Sequence, residues 1–187
     1  KFLAQLWILQ NAVLALSVAR RTFYYVGFHG LADRRIAVLV FIGIILVCLG
    51  LLVFKLATNR NNDYVIKQSS AFTLVFLASL SLVNWDKRVA TFNLGHGQAN
   101  EIDIDNYLNL SPRVYPLLYE NMDRIAFQIE RHQANEVRWV SVESLEEFQN
   151  RLERKKKAFL EAESKQTWRS WNYAESRAKQ KLKDIES

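Results

Sequence analysis

Residues Ile36 to Phe54 form a run of 19 without a single charge. Only Gly43, Cys48 and Gly50 within it are neither large and apolar nor alanine. At roughly 1.5 Å per helical residue the run spans about 28 Å, close to the hydrocarbon thickness of a bilayer. Arg34 and Arg35 precede it and Lys55 follows it, placed to snorkel toward headgroups. A buried helix of a soluble protein runs shorter and keeps a polar stripe. The run therefore predicts a transmembrane helix over 36–54.

Two weaker segments flank it. Residues 2–19 are uncharged but carry Gln5, Gln10, Asn11 and Ser17. Residues 68–84 are uncharged but carry Ser69, Ser70, Thr73, Ser79 and Ser81. Lipid offers such side chains no partner, so they are expected to face other helices. Gln10 and Ser17 are two turns apart and share a face. Three helices make a thin bundle, so upstream transmembrane helices of the same protein are expected as partners. The first segment lacks a small-residue cleavage site, and a second apolar run follows soon after, which argues against a signal peptide.

Charge separates the two parts of the chain. Residues 1–85 hold eight Lys/Arg and two acids, which accounts for the whole net charge of +6. Residues 86–187 hold 17 of each sign. The excess lies beside the apolar segments, unlike a nucleic-acid-binding face, so the expected surroundings are a lipid bilayer and no nucleic acid. A single cysteine excludes an internal disulfide framework and a cysteine-based zinc site. With 2 prolines and 6 glycines an all-β fold is disfavoured. The expected fold is all-α: a membrane region over 1–85 with about three transmembrane helices, then a helical extramembrane domain over 86–187.

The stretch 20–35 (RRTFYYVGFHGLADRR) reads as a short loop. Tyr24, Tyr25 and Phe28 suit the membrane interface, with Trp7 and Trp85 as further belt residues. The four arginines, Arg20, Arg21, Arg34 and Arg35, bracket these aromatics as a headgroup or phosphate site would; anchoring of helix ends is the commoner use of such residues. If this loop is cytoplasmic, that side carries six Lys/Arg near the membrane and the other side four. The count favours a cytoplasmic C-terminal domain.

In the polar half, Asn93–Asn100 reads as a turn. Asp105 is placed to cap a short helix ending at Leu110, and Ser111-Pro112 reads as an N-cap with proline at the first helical position. A helix over 115–132 follows, its apolar stripe formed by Leu117, Leu118, Met122, Ile125 and Ile129. Val137–Val142 reads as an extended connector or one short strand. Ser144 with Glu147 matches a capping box. The pattern is then helical from Leu145 to near Lys183, with a break around Thr167–Ser170. Arg154–Lys157 are four consecutive basic residues between acids, as on a solvated helix face.

The chemistry-bearing inventory is thin. His29, His96 and His132 lie in separate segments without metal-ligand spacing. Phosphate-loop, nucleophile-elbow and dinucleotide signatures are missing from the sequence. No metal or cofactor is therefore expected. Asp103 and Asp105, two residues apart, suit capping better than catalysis. At Asn84-Trp85-Asp86-Lys87-Arg88 an amide, an indole N–H, a carboxylate and two cations fall within one and a half turns. The cluster reads as an interfacial anchor, or as a polar latch between the membrane bundle and the polar region.

Five motifs run in a fixed order: Arg20-Arg21 with Tyr24; Gly30-Leu31 with Arg35-Ile36; NWDKRVATFN over Asn84–Asn93; IDIDNYLNLSPRVYPLL over Ile102–Leu118; and SWNYAESRA over Ser170–Ala178. Together they resemble the C-terminal part of bacterial integral-membrane proteins grouped as domain of unknown function 4153 or 4173. The resemblance implies a multi-helix membrane protein and no particular activity. It places motif residues at Arg21, Tyr24, Gly30, Arg35, Asn84, Asp86, Arg88, Asn93, Asp105, Tyr107, Leu108, Ser111, Trp171 and Asn172.

These observations favour a non-enzymatic docking or sensing component whose helical tail meets a protein partner. One alternative is a transporter component using the polar face Gln10, Asn11, Ser17, Thr73 and Ser79. The other is a membrane enzyme acting on lipid or envelope polymer through Arg20, Arg21, Asp86 or Asp105.

Overall fold

The computed structural model describes residues 1–95, 102–135, 141, 144–164 and 172–186. Among them every regular element is a helix. The apolar segments form the longest: α1 (Phe2–His29), α2 (Asp33–Thr58) and α3 (Asn62–Ser81). α1 runs ten residues past the expected end, so Arg20, Arg21 and Tyr24 sit on a helix and not in a loop. The link to α2 is only Gly30–Ala32. Leu3, Leu6, Leu9, Val13 and Leu14 of α1 are exposed, as suits a helix that meets lipid. α2 ends where Asn59 enters the left-handed region (φ 52°), a position asparagine tolerates. α1 and α2 are each long and apolar enough to cross a membrane; a third span is reached if α3 is counted together with Trp85–Gly95.

The chain divides into two compact units. One comprises residues 1–27 and 32–84. In it α2 packs on α3, with the Phe54 and Tyr64 rings 6.0 Å apart and Lys55 hydrogen-bonded to Asn62. Several polar side chains of this unit bond within their own helix. Asn11 donates to the Trp7 carbonyl, Ser79 to Val75 and Ser81 to Ala78. Each of these donors finds its acceptor within its own helix.

The second unit comprises residues 28–31 and 85–187. Its described helices are α4 (Trp85–Gly95), α5 (Ile104–Asn109), α6 (Tyr115–Glu120), α7 (Met122–Ala134), α8 (Leu145–Ser164) and α9 (Tyr173–Glu186), with a 3-10 turn at Pro112–Val114 before α6. Val89, Ile104, Tyr107, Leu118, Ile125, Phe148, Leu152 and Leu182 form its buried core. The stripes expected of α7 and α8 face inward at Ile125, Ile129, Phe148 and Leu152.

Several local expectations change. The cluster Asn84–Arg88 does not end a helix; Trp85 begins a new one. Asn93, Leu94 and Gly95 are helical, and 96–100 lie outside the described residues. The helix expected over 115–132 is two, α6 and α7, separated at Asn121. Ser111 does accept from the Arg113 N–H ahead of Pro112, and Ser144 accepts from the Glu147 N–H at 3.1 Å. The helix begun at Ile104 is capped by Asp103, whose carboxylate accepts from the Asn106 N–H at 3.1 Å, and not by Asp105. The basic run is not uniformly solvated: Lys156 is buried, its ammonium 3.1 Å from Glu153 and over the Tyr119 ring. Of the connector 137–142, only Ser141 is described; the break around 167–170 lies outside the described residues.

Candidate functional site

The residues singled out by sequence do not converge on one place. Arg20, Arg21, Tyr24, Arg35 and Asn84 belong to the first unit. Arg20 stacks over the Tyr24 ring at 5.5 Å, and Arg21 over Tyr25 at 5.7 Å. Both are i, i+4 pairs, so a helix brings them together without tertiary help. Trp85, Asp86 and Arg88 occupy the start of α4 in the second unit, where Asp86 lies in the first turn and favours the helix dipole. Trp171 lies outside the described residues. Asn172 caps α9, accepting from the Ala174 N–H at 3.0 Å.

The polar centre of the second unit forms around Asn93, on the buried face of α4. Its side-chain carbonyl accepts from the Leu31 N–H at 2.6 Å, and its amide donates to the Leu31 carbonyl at 2.9 Å. One side chain thus satisfies both backbone groups of a residue 62 positions away. Gly30 makes the approach possible. It holds φ +77°, and a Cβ there would lie 2.6 Å from the Asn93 side-chain oxygen. The Asn93 carbonyl in turn accepts from the Gln128 amide at 3.1 Å. Gln128 accepts from the Tyr107 hydroxyl at 3.2 Å. Asn93, Gln128 and Tyr107 are buried and Leu31 is half-buried, so the groups of this chain would be costly to leave unpaired. Burial holds the Tyr107 hydroxyl well above the usual tyrosine range, against a smaller opposing effect of the Gln128 hydrogen bond. Tyr107 is therefore a neutral donor throughout the physiological range.

A second cluster forms around Asp105. Its carboxylate accepts from the Ser141 N–H at 2.6 Å and the Ser141 hydroxyl at 2.7 Å, and lies 3.7 Å from Arg151. Arg151 also donates to Glu147 at 2.5 Å. The network joins α5, the segment before α8, and α8 itself. Among the described residues there is no group of three or more potential metal ligands.

Sequence reading missed Gln128, Ser141 and Arg151. Gln128 did carry a signal: it stands three residues after Ile125 and next to Ile129, on the apolar stripe. Asn93, within an otherwise apolar turn of α4, carried another. Arg151 carried none, because its partners come from two other segments.

Long apolar helices together with a separate packed helical unit define an integral membrane protein with a structured polar region. The chain belongs to the family described as Domain of unknown function (DUF4153), whose match covers residues 1–121. That match takes in the first unit, the Gly30–Leu31 link, α4, α5 and α6. No curated protein and no solved structure matches the chain.

Proposed function

We propose that this protein is a non-enzymatic docking or sensing component of a bacterial inner membrane, with its extramembrane unit on the cytoplasmic side. Engagement of a protein partner by the helical tail is communicated to the link between α1 and α2. The observation that supports this reading is the clasp of Asn93 on both backbone groups of Leu31. The link is three residues long, so any shift of Asn93 acts directly on the chain that joins two membrane helices. A surface loop without such a contact would be indifferent to the tail.

Hydrogen exchange on the full chain in lipid nanodiscs tests the coupling. The Leu31 amide is expected to be protected in the wild type and to lose that protection in Asn93→Leu. Equal exchange in both proteins rejects the clasp as a coupling element. Sidedness is tested separately, in intact cells, with Cys48→Ala and a single cysteine replacing exposed Gln149. Protection from an impermeant thiol reagent until lysis is expected; labelling of intact cells reverses the assignment.

A further inference from the structure

An open cleft of about 400 Å³ lies in the extramembrane unit. That volume falls within the range of small-molecule sites. Asp105, Leu108 and Ser141 line one side; Arg151, Arg154 and Lys155 of α8 line the other. The three cations stand at i, i+3 and i+4, the spacing that puts them on one helix face.

The charges in the cleft do not cancel. Asp105 is engaged by both donors of Ser141 and by Arg151. Arg151 is balanced by Asp105 and Glu147 together. Lys155 donates to the Leu108 carbonyl at 2.5 Å, a neutral acceptor that fixes the ammonium in the cleft without neutralising it. Among the described residues that line the cleft, no further acid faces Arg154 and Lys155. Arg151, Arg154 and Lys155 against Asp105 and Glu147 leave a net charge of +1, and Arg154 and Lys155, one a planar fork and one a point charge, suit a phosphate group. Leu108 and the aliphatic stems of the cations give an apolar body somewhere to rest.

We infer that this cleft binds the phosphate group of a small phosphate ester or of a phospholipid headgroup, through Arg154 and Lys155. Asp105 is a positioning residue: it holds Ser141 and Arg151 and shapes the wall. The inference is independent of the Asn93 clasp.

The test uses the full chain in phosphatidylcholine nanodiscs and phenyl phosphate as the probe, followed by calorimetry. Saturable one-site binding is expected, weakened about tenfold or more in Arg154→Gln and in Lys155→Gln, and weakened by salt. Arg154→Lys keeps the charge without the fork and loses less. Both side chains are exposed, and unchanged melting of the variants separates lost binding from lost folding. Discs containing phosphatidic acid distinguish the sources. If they abolish probe binding, the occupant is a headgroup; if probe binding is undiminished, it is a soluble ester. Either result supports a phosphate site. Absence of saturable binding in phosphatidylcholine discs, or affinity unchanged in both Gln variants, overturns it.

Discussion

In α1 and α3, polar side chains turn back on their own helix: Asn11 reaches Trp7, and Ser79 reaches Val75. In the second unit they cross long stretches of chain: Asn93 reaches Leu31, Gln128 reaches Asn93, and Lys155 reaches Leu108. The surroundings explain the difference. A helix in lipid must satisfy its polar groups internally, because the solvent offers no partner. A helix packed against several others can leave that task to a neighbour, which then becomes necessary. The first unit is therefore tolerant at single polar positions, and the second is tied together by them.

The largest expected effect comes from the second unit's core. Phe148 is fully buried. Phe148→Ala should cost about 3–5 kcal/mol of that unit's stability, read by urea unfolding. The matching truncation Leu14→Ala, on an exposed position of α1, should leave thermal stability in nanodiscs nearly unchanged. Comparable losses at the two sites would break the contrast.

Next comes the clasp. Asn93→Leu leaves the Leu31 N–H and carbonyl without their side-chain partner, at a cost of about 2–4 kcal/mol. Asn93→Asp keeps the acceptor but sets a carboxylate oxygen against the Leu31 carbonyl, so it should be nearly as damaging. Gly30→Ala should cost about 1–3 kcal/mol, from the left-handed backbone and the contact with Asn93. Combining Gly30→Ala with Asn93→Gly sharpens the assignment. The contact part of the cost should vanish in the double variant while the backbone part remains.

Alkaline pH gives a smaller effect. Burial raises the Tyr107 pKa in the folded state, so the folded protein keeps this proton when the unfolded chain has lost it. The sign follows: the contribution is complete below the unfolded value near 10 and is lost as pH rises beyond it. Burial raises Tyr115 in the same direction. Melting of the second unit should be flat from neutral pH to about pH 9 and fall above about pH 10. Tyr107→Phe should shallow that fall without removing it, and an unchanged profile would show that Tyr107 does not report on the network. The smallest effect is expected at Ser79→Ala in α3, within about 0.5 kcal/mol.

Legibility in the sequence followed the same divide. The apolar run 36–54 was visible because it depends only on consecutive residues and on the thickness of a bilayer. Helix ends were less visible: α1 continues through Arg20 and Arg21 because those side chains pair with Tyr24 and Tyr25 on the helix itself. The two aspartates show the limit most clearly. Asp103 and Asp105 are equivalent as local capping signals, yet one caps α5 and the other holds Ser141, 36 positions away.

The sequence by itself determined the helical class, the membrane-spanning character, the inward faces of α7 and α8 and the caps at Ser111 and Ser144. All of these rest on periodicity or on hydrogen bonds within a turn. Only the tertiary structure decided which polar residues became structural. Asn93, Gln128 and Arg151 gain their roles from backbone and side-chain groups far along the chain. A hydrogen bond to a distant group leaves no periodic mark in the sequence; its partner is set by how the helices pack.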